Sequence, residues 1–289
     1  MNKLFNYYFD IYKELTVNYT FYDMCPLSKS QMNVFLDELV NETGTGYNNP
    51  FKISFNGRYS INEIKNAIYK LFDVYPILKS RIHFKEGSLP KCSFDGEMDI
   101  KKGELSDIKT FVRPFELDRN LSRFLIVKDN QTNILCCDFH HLIFDGTSLP
   151  ILLEKLYSIL NNEPVEFVDN GILREISFEE TISQDYMENA QKFMDTMLAD
   201  REECHDLLDS IDSDDEHEHV NIFELDNDFM NSFLKNHRIT HNQFFTSVFA
   251  YTLSRFTGSP KVLFNLIGNG RGHIDLSQSV GIYAKTLPV

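Results

Sequence analysis

A mixed α/β fold is what this sequence predicts, and three observations carry the prediction. Apolar residues recur at helical spacing in some windows and alternate in others, so both element types are needed. Two capping boxes, Ser60 with Glu63 and Thr240 with Gln243, each stand directly before an apolar helical run. Two β-rich runs, LSRFLIVKD and TNILCCDFH, follow one another across the turn residues Asn130 to Asn133.

The elements follow in order. SKSQMNVFLDELVNE (28–42) places Met32, Phe35, Leu36 and Leu39 at helical spacing, and Gly44 and Gly46 end the segment. FKISF (51–55) alternates as a strand. The helix opened by Ser60 carries Ile61, Ile64, Ile68, Leu71 and Phe72, and stops near Tyr75 because Pro76 follows. LKSRIHF (78–84) is expected as a strand, then the two runs of the hairpin. Thr147 or Ser148 caps a helix bearing Leu152, Leu153, Leu156, Ile159 and Leu160. NNEPVEFVDNG (161–171) has the composition of a connection between domains. A long helix at about 177–208 is expected next, then the acidic run Asp212 to Glu218. FFTSVFAYTLSRF follows the second capping box, with Gly258 at its stop position. KVLFNLIG is expected as a strand and GNGRG as a turn. The last residues, TLPV, fall inside a strand pattern, so a fragment or a truncated protein is expected.

Composition narrows the function. The 289 residues suit one large domain or two ordinary ones, and a hydrophobic fraction of 42% is enough to build sizeable cores. A net charge of -15 argues against nucleic acid as the main partner, because phosphate binding needs clustered Lys and Arg. No apolar run is long enough to span a bilayer, and MNKLFNYYFDIYKELTVNY lacks a signal-peptide core, so a cytoplasmic protein without a membrane partner is expected. Five cysteines (Cys25, Cys92, Cys136, Cys137, Cys204) form no CxxC pattern, which disfavours a disulfide framework or a structural zinc site. Cys136 and Cys137 are expected in the core.

The stretch that carries chemistry is HHLIFDG (140–146). Strand alternation sends His140 and His141 to opposite faces, so only one can serve a given site. Asp145 and Gly146 lie where the chain turns into the next helix, and glycine suits the unusual angles or close approach of such a turn. A histidine there can accept a proton near neutral pH, with the carboxylate holding the imidazole or anchoring the loop through an arginine. Three readings stand on spacing alone: satisfied core histidines, a catalytic base, or a metal site. Metal fits least, since opposite-facing histidines cannot share an ion. DDEHEH (214–219) is expected as a solvated acidic loop, and GNGRG lacks the GK[ST] ending of a phosphate loop.

HHLIFDG resembles the HHxxxDG signature of nonribosomal peptide synthetase condensation domains, members of the chloramphenicol-acetyltransferase-like superfamily. PLSKSQ (26–31), YPILKSRIHF (75–84), NGR (269–271) and VGIYAKTLPV (280–289) are similar to further blocks of that family, in family order. The resemblance implies an α/β, two-subdomain V-shaped sandwich with its site between the halves and the second subdomain incomplete. It divides the chain into an N-terminal extension (1–24), an N-terminal subdomain (25–170) and a partial C-terminal subdomain (171–289). It implies an acyltransferase that forms an amide bond between a carrier-bound acyl or peptidyl thioester and a carrier-bound amine. Neither a metal nor a bound cofactor is implied; substrates ride on the 4'-phosphopantetheine of donor and acceptor peptidyl carrier proteins, with an adenylation domain as a further partner. By position, His141 matches the catalytic second histidine, His140 the supporting first one, and Gly146 the glycine beside the thioester. Asp145 matches the aspartate of a structural ion pair, for which Arg81 and Arg271 are the candidate partners. Two departures stand out: Lys79 replaces the arginine of the early block, and Lys285 occupies the usual Asn position before TLP. A free-standing acyltransferase using a coenzyme A or carrier thioester with an alcohol or amine, and a non-catalytic carrier-binding remnant, are the alternatives.

Overall fold

The computed structural model describes residues 16–41, 44–165, 167–199, 222–272 and 276–289. Cys204, the acidic run 212–218 and most of the N-terminal extension lie outside the described residues. The chain divides into two compact units, Met1–Ile182 with Ile267–Lys285, and Ser183–Leu266 with Thr286–Val289.

The first unit is built on a four-stranded sheet of order β2–β7–β6–β5, where β2 is Asn48–Phe55, β5 is Asp99–Gly103, β6 is Ser122–Asp129 and β7 is Thr132–His140. β7 runs antiparallel to β2 and β6, and β5 runs parallel to β6. The hairpin β6–β7 closes through Asn130, which takes the left-handed conformation that Asn tolerates. Helices α2 (Ile61–Val74) and α3 (Ser148–Leu160) put Ile68, Leu71, Phe72, Leu152 and Leu156 into one core with Leu135, Cys137 and Phe139 of β7. The opposite sheet face buries Leu125, Val127 and Cys136 under Phe111. Both faces of β7 are therefore covered, which is why its sequence reads as a nearly unbroken apolar run. Cys136 and Cys137 take opposite faces and are both buried.

A second sheet of this unit has order β1–β4–β3, from Cys25–Pro26 (β1), Arg81–His83 (β3) and Lys91–Ser93 (β4). The strand expected over 78–84 is shortened because Pro76–Lys79 winds into a 3₁₀ turn, which the fixed φ of Pro76 favours. Helix α1 (Lys29–Asn41) forms as expected, yet it buries Gln31, Val34 and Phe35 and leaves Leu36 and Leu39 about half exposed. Helix α4 (Gly171–Thr181) follows the 161–170 segment and packs Ile172, Leu173 and Ile176 into the main core.

The single long helix expected at 177–208 is broken. Ser183 leaves helical geometry and accepts a hydrogen bond from the Tyr186 amide, capping a new helix α5 (Gln184–Met197). The second unit adds α6 (Asn227–His237) and α7 (His241–Thr257). The Thr240–Gln243 capping box opens α7, and Gly258 ends it at φ +67°. Of KVLFNLIG only Asn265–Gly268 (β8) is extended as strand, paired with Lys285–Pro288 (β9). Among the described residues no helix is long and apolar enough to cross a membrane.

Candidate active site

The HHLIFDG segment sits where β7 ends and turns into α3. β7 stops at His140, and His141–Ile143 is a 3₁₀ turn, so the two histidines diverge at this turn and not by continued strand alternation. His140 is buried, and His141 is half-buried. The Leu142 amide donates to His140 Nδ1 at 3.1 Å, so that nitrogen carries no proton. Its Nε2 lies 2.9 Å from Glu38 Oε2 of α1, close but off the line of a hydrogen bond. The Phe115 ring stands edge-on to the imidazole.

His141 is fixed differently. Its amide donates to the Tyr47 carbonyl, and its Nδ1 lies 2.7 Å from the Phe144 carbonyl oxygen. A carbonyl only accepts, so Nδ1 carries the proton and neutral His141 keeps its Nε2 lone pair unshared. Gln31 braces the turn from α1, donating through Nε2 to the Leu142 carbonyl at 3.0 Å. Its own Oε1 accepts from the Ser28 amide.

Asp145 is buried in a set of converging donors. Arg271 Nη1 donates to Oδ2 at 2.6 Å, and the Tyr283 amide donates to the same oxygen at 3.1 Å. Oδ1 accepts from the Ser148 amide at 2.9 Å, so Asp145 supplies the cap of α3 that the sequence assigned to Thr147 or Ser148. The Ser148 hydroxyl lies 2.9 Å from both Asp145 Oδ1 and the Gly281 carbonyl, and its one proton serves either. The same oxygen accepts from Arg271 Nη2 and the Gly281 amide, each at 3.0 Å. Burial alone would raise the Asp145 carboxyl. The hydrogen bond and charge of Arg271, with Tyr283 and Ser148, outweigh it and hold the group below the usual carboxylate value.

The NGR turn has a local reason for each residue. Asn269 Oδ1 accepts from the Arg271 amide. Gly270 has φ +64°, and a Cβ there would stand 1.6 Å from the Tyr283 carbonyl oxygen, so only glycine fits. Arg271 then reaches Asp145 with its guanidinium stacked over the Tyr283 ring. Gly146, by contrast, is exposed, its φ is not positive, and a Cβ there would meet nothing within 4 Å. Of the two reasons expected for glycine at 146, unusual angles are not used; what the position offers is open space.

Of the two arginines considered for Asp145, the structure pairs only Arg271. Arg81 instead forms a two-pronged pair with Asp95, at 2.9 and 2.8 Å, because β3 places it opposite Ser93 and Asp95 lies just past the end of β4. Asp95 also accepts from Ser93, whose hydroxyl meets His83 Nε2 at 2.7 Å. The sequence reading missed four supports: Gln31, Glu38, Ser148 and the ion pair beneath His140. In that pair Arg123 Nε lies 3.8 Å from Asp138 Oδ2, and Asn48 donates to Asp138 at 2.7 Å. Burial pushes the Asp138 carboxyl up and Arg123 down. The signal was present, since Arg123 and Asp138 are directly opposed in the β6–β7 register. Among the described residues no three His, Cys, Asp or Glu side chains are placed to hold a metal ion.

The family model of the condensation domain matches residues 22–289. Bacitracin synthase 2 of Bacillus licheniformis is 25% identical over 289 residues, covering 91% of this chain and 11% of that protein. Surfactin synthase subunit 1 of Bacillus subtilis (strain 168) is 22% identical, covering 92% of this chain and 8% of that protein. The chain thus spans about a tenth of the length of these two relatives. The first condensation domain of the calcium-dependent antibiotic synthetase, in complex with a substrate analogue, superposes with a TM-score of 0.72 at 17% identity, over 92% of this chain and 69% of that one. A four-domain nonribosomal peptide synthetase bound to AMP and glycine gives 0.75 at 15% identity, over 92% of this chain and 22% of that one. With HHLIFDG carried at the end of β7, Asp145 locked to the arginine of NGR, and a family model covering nearly all of its length, the chain belongs to the condensation domain family.

Proposed function

We propose that this chain is the condensation domain of a nonribosomal peptide synthetase, joining a carrier-bound acyl or peptidyl thioester to a carrier-bound amine. The observation that carries the reading is the state of His141: Nδ1–H is committed to the Phe144 carbonyl, so Nε2 is the acceptor left for substrate. The amine attacks the thioester carbonyl and Nε2 accepts, or first orients, the amine proton. Collapse of the tetrahedral intermediate forms the amide and expels the phosphopantetheine thiolate, which takes the proton back from the imidazolium. His140 holds the turn from beneath. Asp145 with Arg271 fixes the start of α3 without touching the reacting atoms. Gly146, with no side chain and open space beside it, leaves room for the thioester. The partners are donor and acceptor carrier proteins, with an adenylation domain in the same synthetase, in the cytoplasm.

The test is amide formation from loaded donor and acceptor carriers by His141→Ala. Turnover is expected to fall by about 100-fold or more while the unfolding midpoint stays put. Turnover retained at the wild-type rate would remove His141 from the chemistry.

A further inference from the structure

Cys25 and Cys92 face each other as directly opposed residues of the antiparallel pair β1–β4. Opposed residues of such a pair keep their Cα atoms about 4.5 or about 5.5 Å apart, and both spacings lie within the roughly 4.4–6.8 Å that a disulfide spans. Both side chains turn into the same core, both are free thiols, and the Cys25 thiol donates to the Cys92 carbonyl oxygen at 3.7 Å. Cys136 and Cys137 make the contrast: adjacent on one strand, they occupy separate cores and cannot join.

Opening this pair takes little. β1 is two residues long and forms the edge of its sheet, so few ladder bonds hold it. Met24 and Ser93, the chain neighbours of Cys25 and Cys92, line a cavity of about 930 Å³ beside the pair, so a small reagent reaches the thiols once β1 opens. The contact between the two thiols lowers the pKa of Cys25 and, with burial, raises that of Cys92, which makes Cys25 the first nucleophile.

We propose that Cys25 and Cys92 are a site of reversible cross-strand disulfide formation, by exchange with a low-molecular-weight disulfide of the glutathione class. The Cys25 thiolate attacks one sulfur of the reagent and releases its first thiol. The Cys92 thiolate then attacks the Cys25 sulfur of the mixed disulfide and releases the second. Two protein thiols are oxidised, one reagent disulfide is reduced to two thiols, and the two cysteine protons pass to the released thiolates. The bond ties the chain just before α1 to β4, and α1 is the helix that sets Gln31 and Glu38 against the histidine turn. Oxidation therefore stiffens the support of the site without altering any residue in it.

The experiment equilibrates the full chain in an oxidised glutathione buffer, quenches with acid, alkylates under denaturing conditions and maps the peptides by mass. The expected product is one peptide pair joined through Cys25 and Cys92, two hydrogens lighter than its parts and abolished by dithiothreitol. The unfolding midpoint of the wild type rises on oxidation, and that of Cys92→Val does not. Recovery of Cys25 and Cys92 as separately alkylated thiols, or a crosslink formed only in urea, overturns the proposal. The wild-type map decides the matter even where Cys92→Val folds poorly.

Discussion

Two buried carboxylates of the first unit respond to acid in opposite directions. Asp145 has its pKa held down in the fold, so its contribution is present above the unfolded value of about 3.9 and is lost as pH falls through the folded one. Asp169 is the reverse: burial pushes it up to about 6, although the amides of Gly171 and Val280 donate to it at 2.8 and 2.7 Å. Its contribution is full below about pH 4 and is lost as pH rises through about 6, a change of roughly 3 kcal/mol. Urea midpoints followed from about pH 4 to about pH 7 should therefore be flatter for Asp169→Asn than for the wild type. Arg271→Ala leaves the Asp145 carboxylate buried without its cation, and should cost about 3–5 kcal/mol in urea unfolding. At this scale the motif pointed to Asp145 from sequence alone, and the structure pairs it with Arg271. The motif did not give Gln31 or Glu38, because their roles depend on α1 lying against the turn, about 100 residues away along the chain.

At the scale of elements, Lys285 is more than a departure from the family pattern. Its Nζ meets Glu175 Oε1 at 2.9 Å and Glu179 Oε1 at 3.4 Å, both on α4. Burial works against the ammonium, but the Glu175 and Glu179 charges outweigh it and raise the Lys285 pKa. Lys285→Asn, the residue the family favours, should leave Glu175 buried and uncompensated, at a cost of about 2–4 kcal/mol by chemical denaturation. A wild-type midpoint in that variant would show that α4 holds without the pair. Elements with long periodic runs or complete capping boxes, such as α2, α7, β6 and β7, were legible in the sequence. The break at Ile182–Ser183 was not, because the apolar spacing continues across it and only the Ser183 cap marks the new start. β1 and β4, of two and three residues, are too short to carry any period, and β3 was legible only as part of the longer run 78–84.

For the whole molecule, the family order of blocks carried more than any periodicity, since it alone linked HHLIFDG to an arginine at the far end of the chain. The choice between Arg81 and Arg271 needed coordinates, because β3 could have faced either way until Asp95 was seen beside it. The second unit shows a different surface. On α7, Phe249, Tyr251 and Phe256 are 53%, 68% and 80% exposed, more apolar area in one helix than a solvated face normally shows. The isolated chain should enhance the fluorescence of a hydrophobic dye at native pH and scatter more light as concentration rises. Dye fluorescence no greater than that of an ordinary folded domain would show these rings to be covered in solution.

Asp145 and Arg271 stand 126 positions apart. At roughly 5–20 residues per second of synthesis, a growing chain waits on the order of ten seconds between making the aspartate and making its partner. The hairpin, α2 and α3 can assemble in that interval, but Asp145 at the start of α3 has no Arg271 to pair with until it ends.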